Sequence, residues 1–193
     1  MTKKDIETFY PKSRREWRKW LEKNHQSKQS VYVIFYRVSS DIASITWSEA
    51  VDEALCFGWI DSTKKTIDEK SYMQYFSKRK LQSNWSKINK DKIKQLTEEG
   101  LMAPAGMESV KIAKENGSWT YLDDVENLVI PSDLEKALVK EVNAKEYFMN
   151  FSKSTKKSIL YWIMSAKREE TRKNRIEQVV KHAGKNLKPK QFR

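Results

Sequence analysis

The spacing of apolar positions changes along the chain, and each change predicts an element. Between residues 13 and 25, Trp17, Trp20 and Leu21 recur at helical spacing behind Ser13, which predicts a helix with Ser13 as its cap. "SVYVIFYRV" (30–38) is an unbroken run of β-branched and aromatic residues and predicts a buried strand. In "TWSEAVDEALCFG" the stripe Trp47, Ala50, Val51, Ala54, Leu55 again follows the helical period. Thr46 and Glu49 form a capping box at its start, and Gly58 suits the left-handed residue at its stop. Cys56 falls off that stripe, toward Glu49, Asp52 and Glu53.

"WIDSTKKTID" and "SYMQYFSKR" read as two strands joined by a polar turn near Asp68 to Ser71. Ser83 is expected to cap a helix reaching Glu99, with Trp85, Ile88 and Leu96 apolar and Gly100 as stop. A further helix, 105–116, ends at Gly117. "SWTYLDDVENLVIP" (118–131) is expected to be mostly extended. Ser132 with Glu135 offers a second capping box, followed by helices at 133–141, 144–151 and 154–182, the last broken near Lys167. These elements predict an α+β protein, mainly helical, with a small antiparallel sheet in the N-terminal half and a helical C-terminal region. The expected divisions are a mixed α+β part at 1–120, a helical part at 121–184 and a basic flexible tail at 185–193.

Composition supports a packed core, since 38% of the 193 residues are hydrophobic and seven are tryptophan. One cysteine excludes an intrachain disulfide framework and fits a reducing compartment. The first residues contain no apolar run of the secretory kind, and no window approaches the roughly eighteen apolar residues of a spanning helix. A soluble, cytoplasmic protein is the expectation. The net charge of +12 is uneven: from Asn150 to Arg193, thirteen Lys or Arg stand against three Glu. Such an excess favours anionic partners (nucleic acid, phosphorylated ligands, acidic membrane surface) or serves solubility alone.

Few residues carry candidate chemistry. A nucleophilic Cys56 would need a neighbouring cation, a histidine or a helix N-terminus, and it stands instead at a helix C-terminus among carboxylates. A buried structural role suits it better. His25 and His182, the only histidines, give no zinc spacing with one cysteine, and Asp123 with Asp124 lack the pattern of a calcium loop. No glycine-rich phosphate loop or nucleophile elbow is present, so neither metal nor cofactor is expected.

Two clusters stand out. In the first, Trp59 and Asp61 share one face of a strand, and Arg79, Ser83, Trp85 and Asn89 surround a strand-to-helix junction. An Arg beside a helix N-terminus can take a carboxylate or phosphate, and tryptophans can stack a flat ligand. The competing reading has Ser83 as a cap, Trp85 as core and Arg79 paired with Asp61. In the second, Arg168, Thr171, Arg172 and Arg175 fall on one helical face just after Lys167. That face binds an anion or RNA, or it is solvated and balanced by Glu169, Glu170 and Glu177.

"EALCFGWID", "RKLQSNWSKIN", "LMAPAG" and "WIMSAKREETRKNRI" resemble, in that order, the YdeI/OmpD-associated family of bacterial proteins, also labelled bacteriocin-protection. The likeness runs from about Tyr10 to Gly184. It implies a bacterial protein connected with resistance to antimicrobial peptides or bacteriocins and with an outer-membrane porin, and it supplies no catalytic residue. Three expectations follow from the residues taken with this resemblance, which alone supplies the stress or resistance role. The first is a stress- or resistance-related binding module, its pocket between the sheet and the C-terminal helices, built from Trp59, Asp61, Arg79, Ser83, Trp85, Asn89, Lys167, Thr171, Arg172 and Arg175 and accepting a small anionic ligand. The second is non-specific nucleic-acid binding through the basic last quarter. The third is an enzyme with Asp61 or Glu53 as base and Arg79 as electrostatic stabiliser.

Overall fold

A computed structural model describes residues 6–192. The chain divides into two compact units, Met1–Thr120 and Tyr121–Arg193, each with its own apolar core.

Among the described residues, the first unit is a four-stranded sheet with four α-helices. Strands β1 (Thr8–Phe9), β2 (Ser30–Tyr36), β3 (Trp59–Thr66) and β4 (Ser71–Lys78) lie in the order β1-β2-β4-β3. The β2–β4 and β3–β4 pairs are antiparallel. The two-residue β1 runs parallel to β2, so the sheet is mixed. So short a strand leaves no pattern in the sequence. It is held by packing instead, with the Phe9 ring stacked 6.1 Å from Trp17 and 5.7 Å from Trp20. Val31, Val33 and Phe35 alternate inward from β2, opposite Phe76, Gln74 and Tyr72 of β4.

Helices α1 (Arg14–Asn24) and α2 (Trp47–Cys56) cover that inner face. The Ser13 hydroxyl accepts from Glu16 N, and the Thr46–Glu49 capping box forms. Trp17 Nε1 donates to Ala50 O at 3.0 Å, tying α1 to α2. Glu53, 2% exposed, lies between Arg14 (2.5 Å) and Arg18 (2.7 Å). A carboxylate so buried requires that double neutralisation. Trp47 departs from its expected core place and is half exposed. It is the first residue of α2, and its indole N–H donates outward to Asp61 Oδ2 at 2.9 Å.

Helix α3 (Lys87–Glu98) is capped by Ser86, whose hydroxyl accepts from Asn89 N, three residues later than expected. Ser83 is diverted, because its hydroxyl donates to Lys80 O and accepts from Arg79. Ile93 and Leu96 enter the core, while Ile88 is exposed. Helix α4 (Pro104–Glu115) completes the unit.

The second unit is helical: α5 (Asp123–Glu126), α6 (Ser132–Lys140), α7 (Ala144–Asn150), α8 (Lys153–Met164) and α9 (Glu169–Ala183). Residues 118–131 are thus turns and one short helix rather than an extended link. Ser132 is the first helical residue of α6 and not its cap, a position taken by Pro131. The helix expected at 154–182 is broken where the sequence suggests, near Lys167, into two helices separated by Ser165 to Arg168. Leu134, Leu138, Phe148, Ile159, Ile163 and Val179 fill the core, and Phe192, in a final turn, packs edge-on to Trp162 at 5.7 Å. Among the described residues, no helix is long and apolar enough to cross a membrane.

Candidate functional site

The corner between α2 and β3 organises the first cluster. Gly58 turns there with φ +71°, a conformation that L side chains rarely adopt. A Cβ on Gly58 would come within 3.0 Å of Ala105 O, and one on Gly106 within 2.2 Å of Cys56 O. Ala103 N donates to Cys56 O at 3.0 Å. The start of α4 is thereby pressed against the corner. A cavity of about 440 Å³ opens beside it, lined on one side by His25, Phe57, Trp59, Lys78 and Arg79 and on the other by Ala105, Glu108, Ser109 and Ile112.

Arg79 is the unusual group in this cavity wall. Its backbone N–H reaches Gly58 O at 2.9 Å, which fixes its place at the end of β4. The guanidinium lies 3.6 Å from the centre of the Trp85 ring. Nη1 donates to Ser83 Oγ at 3.0 Å and to Asn84 O at 3.1 Å. Nε is buried with no acceptor. Among the described residues, Arg79 forms no ion pair. Burial pulls its pKa down to about 10, offset in part by the charge of Asp61. It remains a cation at neutral pH, desolvated and incompletely satisfied. The first turn of α4 adds to the field. Pro104 stands at its start, no side chain caps it, and its positive end lies at the Ala105 wall.

The structure brings Trp59, Arg79, Ser83 and Trp85 into one neighbourhood. Trp59 is a buried wall whose Nε1 donates to His25 O at 3.3 Å. Trp85 is core, with its ring 5.0 Å from Trp119. Asp61 is engaged by Trp47 and by Gln74 Nε2 at 2.9 Å. Asn89 contributes its backbone N–H to the cap of α3. Glu53 and Asp61, the two carboxylates considered as bases, are therefore both held by donors. Cys56 is buried, and burial followed by the charge of Glu53 raises its pKa to about 11.

His25, Lys78, Glu108 and Ser109 are cavity residues that the sequence reading missed. The signal for α4 was Gly106 in "LMAPAG", a small residue in a helix whose only structural reason is close approach to the α2 corner.

The second cluster lies wholly in the second unit and does a structural job. Arg172 holds Asp133 with two bonds, at 2.7 Å and 2.9 Å, and Nη1 reaches Ile163 O at 3.4 Å. Arg175 donates to Trp162 O and to Ser165 Oγ, and its guanidinium lies 5.1 Å from the Trp162 ring centre. The two arginines thus cap the carbonyl end of α8, where cations are favoured. The Arg172 bond keeps the Asp133 carboxyl below its ordinary pKa. Thr171 is half-buried near the start of α9, and Lys167 is exposed in the preceding link. Asp133, Lys136, Lys140, Arg172 and Lys173 line a groove of about 450 Å³, in which Arg172 is already neutralised. Among the described residues, no group of three or more His, Cys, Asp or Glu side chains could hold a metal ion.

A family model described as a domain of unknown function (DUF8412) matches residues 9–109. A second, described as Bacteriocin-protection, YdeI or OmpD-Associated, matches residues 127–186. No curated protein and no solved structure matches the chain.

Proposed function

The chain belongs to the family described as a domain of unknown function (DUF8412), and on the geometry of that matched region we propose a binding protein that takes a small anionic ligand beside Arg79. One observation carries the reading: Arg79 lines a cavity of about 440 Å³, and its guanidinium, bonded only through Nη1 to Ser83 and Asn84, has no ion pair among the described residues. A desolvated cation without a counter-charge favours an anion beside it. The cavity is of the size that takes small molecules, and Trp59 and Phe57 supply apolar wall. A carboxylate or phosphate oxygen accepting from the guanidinium would supply that counter-charge through a charge-assisted bond. The uncapped start of α4 favours the same charge sign.

The C-terminal match suggests a setting, and in this proposal the binding serves a stress or bacteriocin-protection response in the cytoplasm. A buried thiol at Cys56 suits that reducing compartment. The test is a thermal-shift panel of inorganic phosphate, small carboxylates and nucleotides on the full chain and on Arg79→Lys. A hit on the wild type should weaken at least about tenfold in the variant, the effect of losing a charge-assisted bond and its geometry. Hits that Arg79→Lys binds equally well would place the anion elsewhere and refute the proposal.

A further inference from the structure

We infer that the ligand of the Arg79 cavity is a zwitterion, its carboxylate on Arg79 and its ammonium on Glu108; the inference rests on the anion-binding reading above. The two charges come from different walls. Arg79 ends β4, and Glu108 lies in α4. Glu108 is weakly committed within its own helix. Its contact with Lys111 is 4.0 Å long, with both side chains more than half exposed, a pair of little strength. Lys78, the other cation at this wall, gives its ammonium to Gln26 O at 2.7 Å.

A ligand bearing only a negative group gains nothing from the Glu108 carboxylate that shares the cavity with Arg79. A second negative charge would be repelled there. A ligand bearing an ammonium turns the same carboxylate into a partner. Phe57, Leu81 and Ile112 supply apolar surface in the same cavity, which suits a zwitterion with an apolar or aromatic body. Glu108 is then the residue that sets specificity, and Arg79 the one that sets affinity for the acid group.

Titration calorimetry on the full chain, with probes that share one ring and differ in charge, decides it. L-Phenylalanine carries both charges, 3-phenylpropionate only the carboxylate and 2-phenylethylamine only the ammonium. L-Phenylalanine should bind at least about fivefold more tightly than 3-phenylpropionate, the size of a modest charge pair. Glu108→Gln, at an exposed position, should remove that preference by weakening L-phenylalanine, while 3-phenylpropionate binds as well as before or slightly better. Arg79→Lys should weaken both acids. Equal affinity for the two acids, or a preference that survives Glu108→Gln, overturns the zwitterion inference. If only inorganic phosphate or simple acids bind, and do so through Arg79, the inference falls and the anion site stands. If no probe, phosphate included, depends on Arg79, both fall together.

Discussion

Cys56 lies fully buried at the end of α2, close enough to Glu53 to feel its charge. Burial first and Glu53 second lift its pKa from 9.0 to about 11, against the pull of Arg18 and Arg14. At pH 8 about one thiol in a thousand is ionised at that pKa. A thiol-reactive dye should therefore leave the native protein unlabelled and react stoichiometrically once it is unfolded; rapid labelling in the native state would contradict this environment. The linkage has a definite sign. The folded state holds its proton more tightly, so the contribution is complete below pH 9 and is lost as pH rises through about 11. Compared with Cys56→Ala, the wild type should lose additional stability across that window, followed as Tm against pH. The buried setting of this residue was legible from its chemistry, a small thiol with no activating cation or histidine, and not from helix periodicity, which puts it off the core stripe. Trp47 was not, because its outward turn depends on Asp61, a bonding partner fourteen positions away in another element.

Caps show the same division one level up. Ser13 and Thr46 do what their spacing predicts, since each has one nearby set of free N–H groups to serve. Ser83 and Ser86 both precede α3, and only the structure reveals that Arg79 draws the first away. The arginines of α9 are the larger case. Periodicity placed Arg172 and Arg175 on one face correctly, but the break at Ser165 to Arg168 turns that face toward the last carbonyls of α8. Arg172→Ala should thus act as a stability mutation. It removes the Asp133 pair and a helix-end contact, worth about 1 kcal/mol once the exposure of both side chains is discounted. Asp133 has a depressed pKa, so its share is present above 3.8 and disappears as pH falls through the folded value. The gap in Tm between wild type and variant should narrow in acid. An unchanged Tm at neutral pH would show that the bonds are idle.

At the scale of the molecule, each of the two units has its own core, which is what a cooperative folding unit needs. The α+β class was readable because the hydrophobic period switches from two to helical along the chain. The cavity was only partly readable, because its α4 wall arrives by contact between Gly58, Gly106 and Cys56 rather than by any local pattern. Every residue lining the Arg79 cavity belongs to the first unit. A fragment of residues 1–120 should accordingly unfold cooperatively and keep the Arg79-dependent response of the full chain. The second unit carries sixteen Lys or Arg against ten Asp or Glu. A fragment of residues 121–193 should therefore retain whatever affinity for RNA the full chain has, with a steep fall as salt increases, because that attraction is counterion release. Arg172→Ala should barely alter it, since Arg172 is neutralised by Asp133 in the native unit. Ligand response in 121–193 but not in 1–120 would move the functional site out of the cavity altogether. Salt-insensitive RNA binding would mean that the basic last quarter reads something other than phosphate.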